Sequence, residues 1–147
     1  MGKGVCRTAN YIAAARAKET ERGEKAIACD PWAKEFAGEE GFQMLDHFAP
    51  YRLSSLFASQ PQPEDLTVMT AAIRTRFFDD HLLQSLQADE QLRQVVLLGC
   101  GFDTRSCRLS APEGTVFYEV DLPDIIQRRD QVLGTHEEPQ VGGEASW

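Results

Sequence analysis

Residues 94–109 read QVVLLGCGFDTRSCRL, and this stretch decides the fold. An apolar run, Val95 to Leu98, enters Gly99-Cys100-Gly101 and then Asp103-Thr104-Arg105 without a transition. A short apolar segment, β-branched at its start and bounded by glycine, suits a strand buried on both faces of a parallel sheet. The loop leaving the carboxyl end of such a strand opens on the crevice where open α/β sheets bind ligands. Glycine there lets backbone approach a ligand without an intervening Cβ. A lone G-x-G also makes an ordinary tight strand-to-helix turn, so Gly99 and Gly101 need an independent partner before they mean more.

Asp121 is that partner. Residues Thr115 to Val120, TVFYEV, form a second strand candidate, and the intervening sixteen or so residues accommodate a right-handed crossover with a short helix near Thr104 to Leu109. Asp121 follows Gly101 by twenty residues, at the end of that strand. A carboxylate there, beside a neighbouring parallel strand, can accept hydrogen bonds from both hydroxyls of a ribose. Glu119 points the same way and competes for the role, and an Asp at this point also serves as a strand-end or capping residue. Pro123 to Leu133 reads as a helix opened by proline. A dinucleotide fingerprint wants a third glycine at position 104, where this chain has Thr104. Adenosylmethionine carries no pyrophosphate, so the departure favours it over a nicotinamide dinucleotide.

Upstream, the signals are helical. Thr8 is placed to cap a helix running to about Arg22 with Gly23 as its stop, and Asp30-Pro31 opens a second that Gly38 closes. Both are expected to be short and local. A third, from about Glu64 to Leu86, carries Leu66, Met69, Ile73 and Phe77 on one face at spacings of three and four. Residues 1–90 thus form a helical cap region, residues 91–133 an α/β unit, and residues 134–147 a polar tail expected to be disordered.

Composition narrows the function classes. With 42% hydrophobic and 26% charged residues the chain is that of an ordinary globular domain, and a net charge of -8 without a basic block argues against nucleic-acid binding. The longest apolar run is a few residues and the N-terminus lacks a signal peptide's apolar core, so a cytoplasmic protein without a membrane span is expected. Cys6, Cys29, Cys100 and Cys107 form no C-x-x-C pair and His47, His81 and His136 are scattered, which indicates reduced thiols and no metal site. A catalytic role for Cys100 would need an activating histidine that the sequence does not place nearby.

Taken in order, AIRTRFFDDHLL, VVLLGCGFDTRSCRL and FYEVDLP resemble the leucine carboxyl methyltransferase family of adenosylmethionine-dependent methyltransferases, and TANYIAAARAKE and CDPWAKEFAG are similar to the N-terminal pattern of its bacterial members. The resemblance covers roughly residues 8–133. It implies a Rossmann-like class I methyltransferase fold and S-adenosyl-L-methionine as cofactor. Gly99 and Gly101 would line its methionine and ribose portion, Asp121 would hold the ribose hydroxyls, and Arg74 would pair with its carboxylate, with Arg76 as the nearby alternative. A guanidinium suits that last task because its rigid fork matches a carboxylate in two hydrogen bonds. Asp103 and Arg105 match the family's D-T-R signature and are expected to shape the loop.

The implied reaction is O-methylation of a carboxyl or hydroxyl on a small molecule or protein, and no motif identifies the acceptor. The family also implies a seven-stranded sheet, of which two strands can be placed here. The fold is therefore expected to be incomplete, with an unpaired apolar edge that invites self-association or a partner. The alternative reading is a non-catalytic homologue acting as a binding module.

Overall fold

A computed structural model of the chain describes residues 3–48 and 64–134. Helix α1 spans Lys3–Thr20, α2 Ala33–Phe48 and α3 Glu64–Ala88. Strand β1 (Gln94–Leu98) leads through the short helix α4 (Arg105–Arg108) to β2 (Val116–Val120), and α5 (Pro123–Leu133) follows. The architecture is mixed α/β, with a helical layer beside a two-stranded parallel sheet. Residues 135–147 of the expected tail and the side chain of Cys6 lie outside the described residues, and Gly134 caps α5.

Helix α1 is the hub. Its YIAAARA run combines high helix propensity with small side chains, so neighbours can approach it closely on several sides. Tyr11, Ala13, Ala14, Ala15 and Ala17 are all buried. The α1–α2 contact is the most extensive between elements, so these helices are not the local segments that their sequences suggest. Gly41 of α2 makes the approach possible, since a Cβ there would lie 2.5 Å from the Asn10 carbonyl oxygen.

Two expected boundaries are corrected. The first helix begins by Lys3, which places Thr8 inside it rather than at its cap. Gly38 does leave the helical conformation, with φ 54° and ψ -177°, but the chain resumes its helix immediately and continues to Phe48. Asn10 explains how the interruption is tolerated. Its Nδ2 donates to the carbonyls of Phe36 (2.8 Å) and Ala37 (3.2 Å), immediately before the kink.

The third helix forms as expected, but it buries a different face. Val68, Ala71, Ala72, Thr75 and Asp79 are buried, while Met69, Ile73 and Phe77 are exposed, the last two at 52% and 63%. Both stripes have helical spacing. The smaller one lies inward because α1 presents alanines, and a stripe of Ala and Thr allows close approach where Ile and Phe would hold the helices apart.

In the sheet, Gln94 pairs with Val116, Val96 with Tyr118 and Leu98 with Val120. The expectation of burial on both faces is also corrected. Val95 is buried and Leu97 and Phe117 half-buried on one face, whereas Val96, Leu98, Val116, Tyr118 and Val120 on the other are exposed, Leu98 at 78%. Among the described residues nothing covers that second face. The core lies instead among the helices, where Phe102 from the loop after β1 stacks on Phe36 with ring centroids 4.8 Å apart.

Replacing Gly41 by Ala should lower stability by about 1–3 kcal/mol through overpacking against Asn10, measured as a shifted urea midpoint with an unchanged slope.

Candidate functional site: the turn after strand β1

The turn of residues 99–104 is built from two left-handed glycines, Gly99 at φ +60° and Gly101 at φ +52°. Other L-residues rarely adopt that conformation, which is why this turn requires glycine at both positions. The amides of Gly99 and Cys100 donate to the Val120 carbonyl (2.8 and 3.2 Å), carrying the strand pairing past the end of β1. Among the described residues, a Cβ on Gly99 would meet nothing within 4 Å, so the backbone at that point faces open space.

Asp121 closes the turn from the end of β2. Its Oδ2 accepts the Gly101 N–H at 2.7 Å and its Oδ1 accepts the Leu122 N–H at 2.7 Å. A carboxylate offers about four acceptor positions, so two remain for a ligand. Glu119 is occupied differently: it accepts from Ser106 Oγ (2.6 Å) and Arg129 Nε (3.1 Å), and pairs with Arg129 Nη2 as well. The two competing acids therefore separate, with Asp121 against the glycine turn and Glu119 in an ion pair behind it.

The remaining contacts tether the turn to the helices. Asp103 Oδ1 accepts the Arg105 N–H (2.9 Å), and the Asp103 carboxylate also pairs with the Arg105 guanidinium, as the expected loop-shaping role requires. Arg105 Nε reaches Asp79 of α3 at 2.8 Å. Arg108 holds the same carboxylate through both terminal nitrogens, at 2.5 and 2.9 Å, and donates to Thr104 Oγ1 at 3.0 Å. Burial alone would lower the Arg108 pKa, but the Asp79 hydrogen bonds and charge outweigh it and hold the guanidinium above its ordinary value. From α1, Arg16 donates to the Phe102 carbonyl (2.5 Å) while pairing with Asp30 (2.8 Å), whose other oxygen accepts the Trp32 N–H at 3.1 Å.

Arg74 is exposed on α3 with its guanidinium carbon 5.9 Å from the centroid of the Phe78 ring; that of Arg105 lies 5.7 Å from the same centroid. The ring thus links Arg74 to the D-T-R segment. Among the described residues no carboxylate pairs with Arg74, whereas Arg76 is bound to Asp80 one turn along, at 2.8 Å to both oxygens. Of the two arginines, Arg74 is the one with its fork available.

Cys100 is buried, and its thiol pKa is raised by desolvation and further by the carboxylates of Glu119, Asp121 and Asp103, with Arg129 opposing. That environment suppresses the thiolate and disfavours nucleophilic use. Among the described residues no group of three or more His, Cys, Asp or Glu side chains could hold a metal, and no helix is long and apolar enough to cross a membrane.

The sequence reading missed Arg16, Asp79 and Arg129. A signal existed for Arg129: it lies between Ile125 and Val132 on the apolar stripe of α5, at spacings of four and three. A charge on an apolar stripe marks a side chain with a buried task.

The family model described as leucine carboxyl methyltransferase matches residues 9–142. The chain belongs to this family. Similar proteins bear the name "Putative S-adenosyl-L-methionine-dependent methyltransferase": that of Mycolicibacterium gilvum is 36% identical over 135 residues and that of Mycobacterium avium 38% over 138. A third, from Parafrankia sp., is 40% identical over 137 residues. These matches cover 90–91% of the present chain and 41–44% of each relative, so the chain spans less than half the length of the curated relatives it matches.

Asp79→Ala leaves two largely buried guanidiniums without their shared acid and should destabilise the fold by about 3–5 kcal/mol in urea denaturation. Cys100 should alkylate more slowly at pH 8 than glutathione, because its raised pKa leaves less thiolate at that pH and burial limits access; peptide mapping after iodoacetamide treatment gives the rate.

Proposed function

We propose that this chain binds S-adenosyl-L-methionine on a partial Rossmann-like unit and that the turn after β1 serves an O-methyl transfer. The observation that carries the reading is the Gly101–Asp121 hydrogen bond. It places an acid with spare acceptor capacity beside a left-handed glycine turn whose first residue faces open space. These residues fit the cofactor. Asp121 would take the ribose hydroxyls, Gly99 and Gly101 would let backbone approach the ribose and methionine portion, and Arg74 would meet the carboxylate with its unoccupied fork.

When bound, the cofactor would supply a sulfonium methyl group for transfer to an acceptor oxygen, with the electron pair of the broken C–S bond remaining on sulfur as a neutral thioether. The leaving group needs no proton. The chain's residues accordingly have binding and alignment to perform rather than acid catalysis. A carboxylate acceptor is already nucleophilic at neutral pH, while a hydroxyl would hand its proton to a base. The acceptor class is carboxyl or hydroxyl, on a small molecule or a protein.

A second reading rests on the uncovered sheet face. Parallel sheets are ordinarily covered on both sides, and here, among the described residues, Val96, Leu98, Val116, Tyr118 and Val120 are open and both strands have an unpaired edge. That favours a chain working as a non-catalytic binding module, associating with a copy of itself or with another polypeptide through this surface.

Calorimetric titration with adenosylhomocysteine and adenosine tests the first reading. Asp121→Ala should weaken both ligands by roughly tenfold or more through lost charged hydrogen bonds, while Arg74→Met should weaken adenosylhomocysteine alone, since adenosine has no carboxylate. A folded wild-type chain that binds neither ligand removes the cofactor reading. Binding without turnover of any acceptor supports the second.

A further inference from the structure

Arg129 is 1% exposed, yet it carries a full charge. Burying a guanidinium is costly unless its donors are used, and a well-packed apolar residue often serves stability equally well. Its partners therefore indicate its purpose. One side pairs with Glu119 through Nε and Nη2, and the Glu119 oxygen that takes Nη2 also accepts from Ser106 Oγ at 2.6 Å. The remaining nitrogen, Nη1, donates to two main-chain carbonyls of the glycine turn, Gly101 at 3.1 Å and Asp103.

Gly101 is consequently gripped at both ends: Asp121 accepts its N–H and Arg129 donates to its carbonyl. Gly101 has no side chain to fix its orientation, and its φ of +52° is one that glycine leaves as readily as it enters. If the Gly101 peptides rotate, Asp121 loses the N–H that orients its carboxylate.

We infer that Arg129 is a positioning residue that sets the Asp121 carboxylate for its ligand by fixing Gly101. This rests on the cofactor reading above, and it assigns α5 a task in the site beyond its share of the hydrophobic core. Arg129 acts through backbone and touches no ligand itself.

The test uses the 147-residue chain and Arg129→Lys, which keeps a positive charge beside Glu119 but replaces the planar fork with a single ammonium unable to serve both carbonyls and the acid together. Amide exchange of Gly101, followed by NMR without ligand, should accelerate roughly tenfold or more. Adenosylhomocysteine and adenosine affinities should each fall roughly fivefold to tenfold, and the Asp121→Asn/Arg129→Lys double variant should bind no more weakly than Asp121→Asn alone. Unchanged Gly101 exchange, or fully additive losses in the double variant, overturns the inference. Faster Gly101 exchange in a variant of a wild-type chain that binds neither ligand retains the hold on the turn and overturns the cofactor reading instead. Should Arg129→Lys fail to fold, Arg129→Met combined with Glu119→Met removes both charges and is read by the same criteria.

Discussion

A turn made of left-handed glycines satisfies only part of its own backbone, here through the Asp103 N–H, which donates to the Cys100 carbonyl at 2.9 Å. The Gly99 and Cys100 amides extend the strand ladder, and the other groups of the turn need partners from elsewhere. Here they come from every side: Asp121 at the end of β2 accepts from Gly101, Arg129 of α5 donates to Gly101 and Asp103, and Arg16 of α1 donates to Phe102. Helix α3 joins through Asp79, whose carboxylate Arg105 and Arg108 share. The candidate site is the point on which four elements converge.

That convergence gives the motifs of the sequence a common physical cause. The acids following the two phenylalanines of α3, the D-T-R segment and the acid at the end of β2 are far apart in the chain. The D-T-R arginine shares Asp79 with Arg108, and the D-T-R aspartate holds both the backbone N–H and the guanidinium of that arginine at the start of α4. Loop shape and helix placement are therefore one problem, because moving α3 would strand two cations.

What could be read from the sequence was whatever has a local cause. The strands, the proline-opened α5 and the glycine turn depend on neighbouring residues, and their expected positions match the structure to within a residue or two. The inward face of α3 was not legible, since Ile73 and Phe77 on one stripe and Ala71, Ala72 and Thr75 on another have equal periodicity. The choice between them belongs to the alanines of α1, more than fifty residues away. The kink at Gly38 was hidden for a related reason: its support comes from Asn10, on another helix, which donates to the two carbonyls just before it. Glu119 and Asp121 were likewise equivalent until Arg129 engaged one of them.

The contact between Arg16 and Phe102 joins residues 86 positions apart. Closing that loop costs more chain entropy than closing the crossover between β1 and β2. The shape of the turn therefore depends on the docking of the first helix of the chain as well as on the pairing of the strands that flank it.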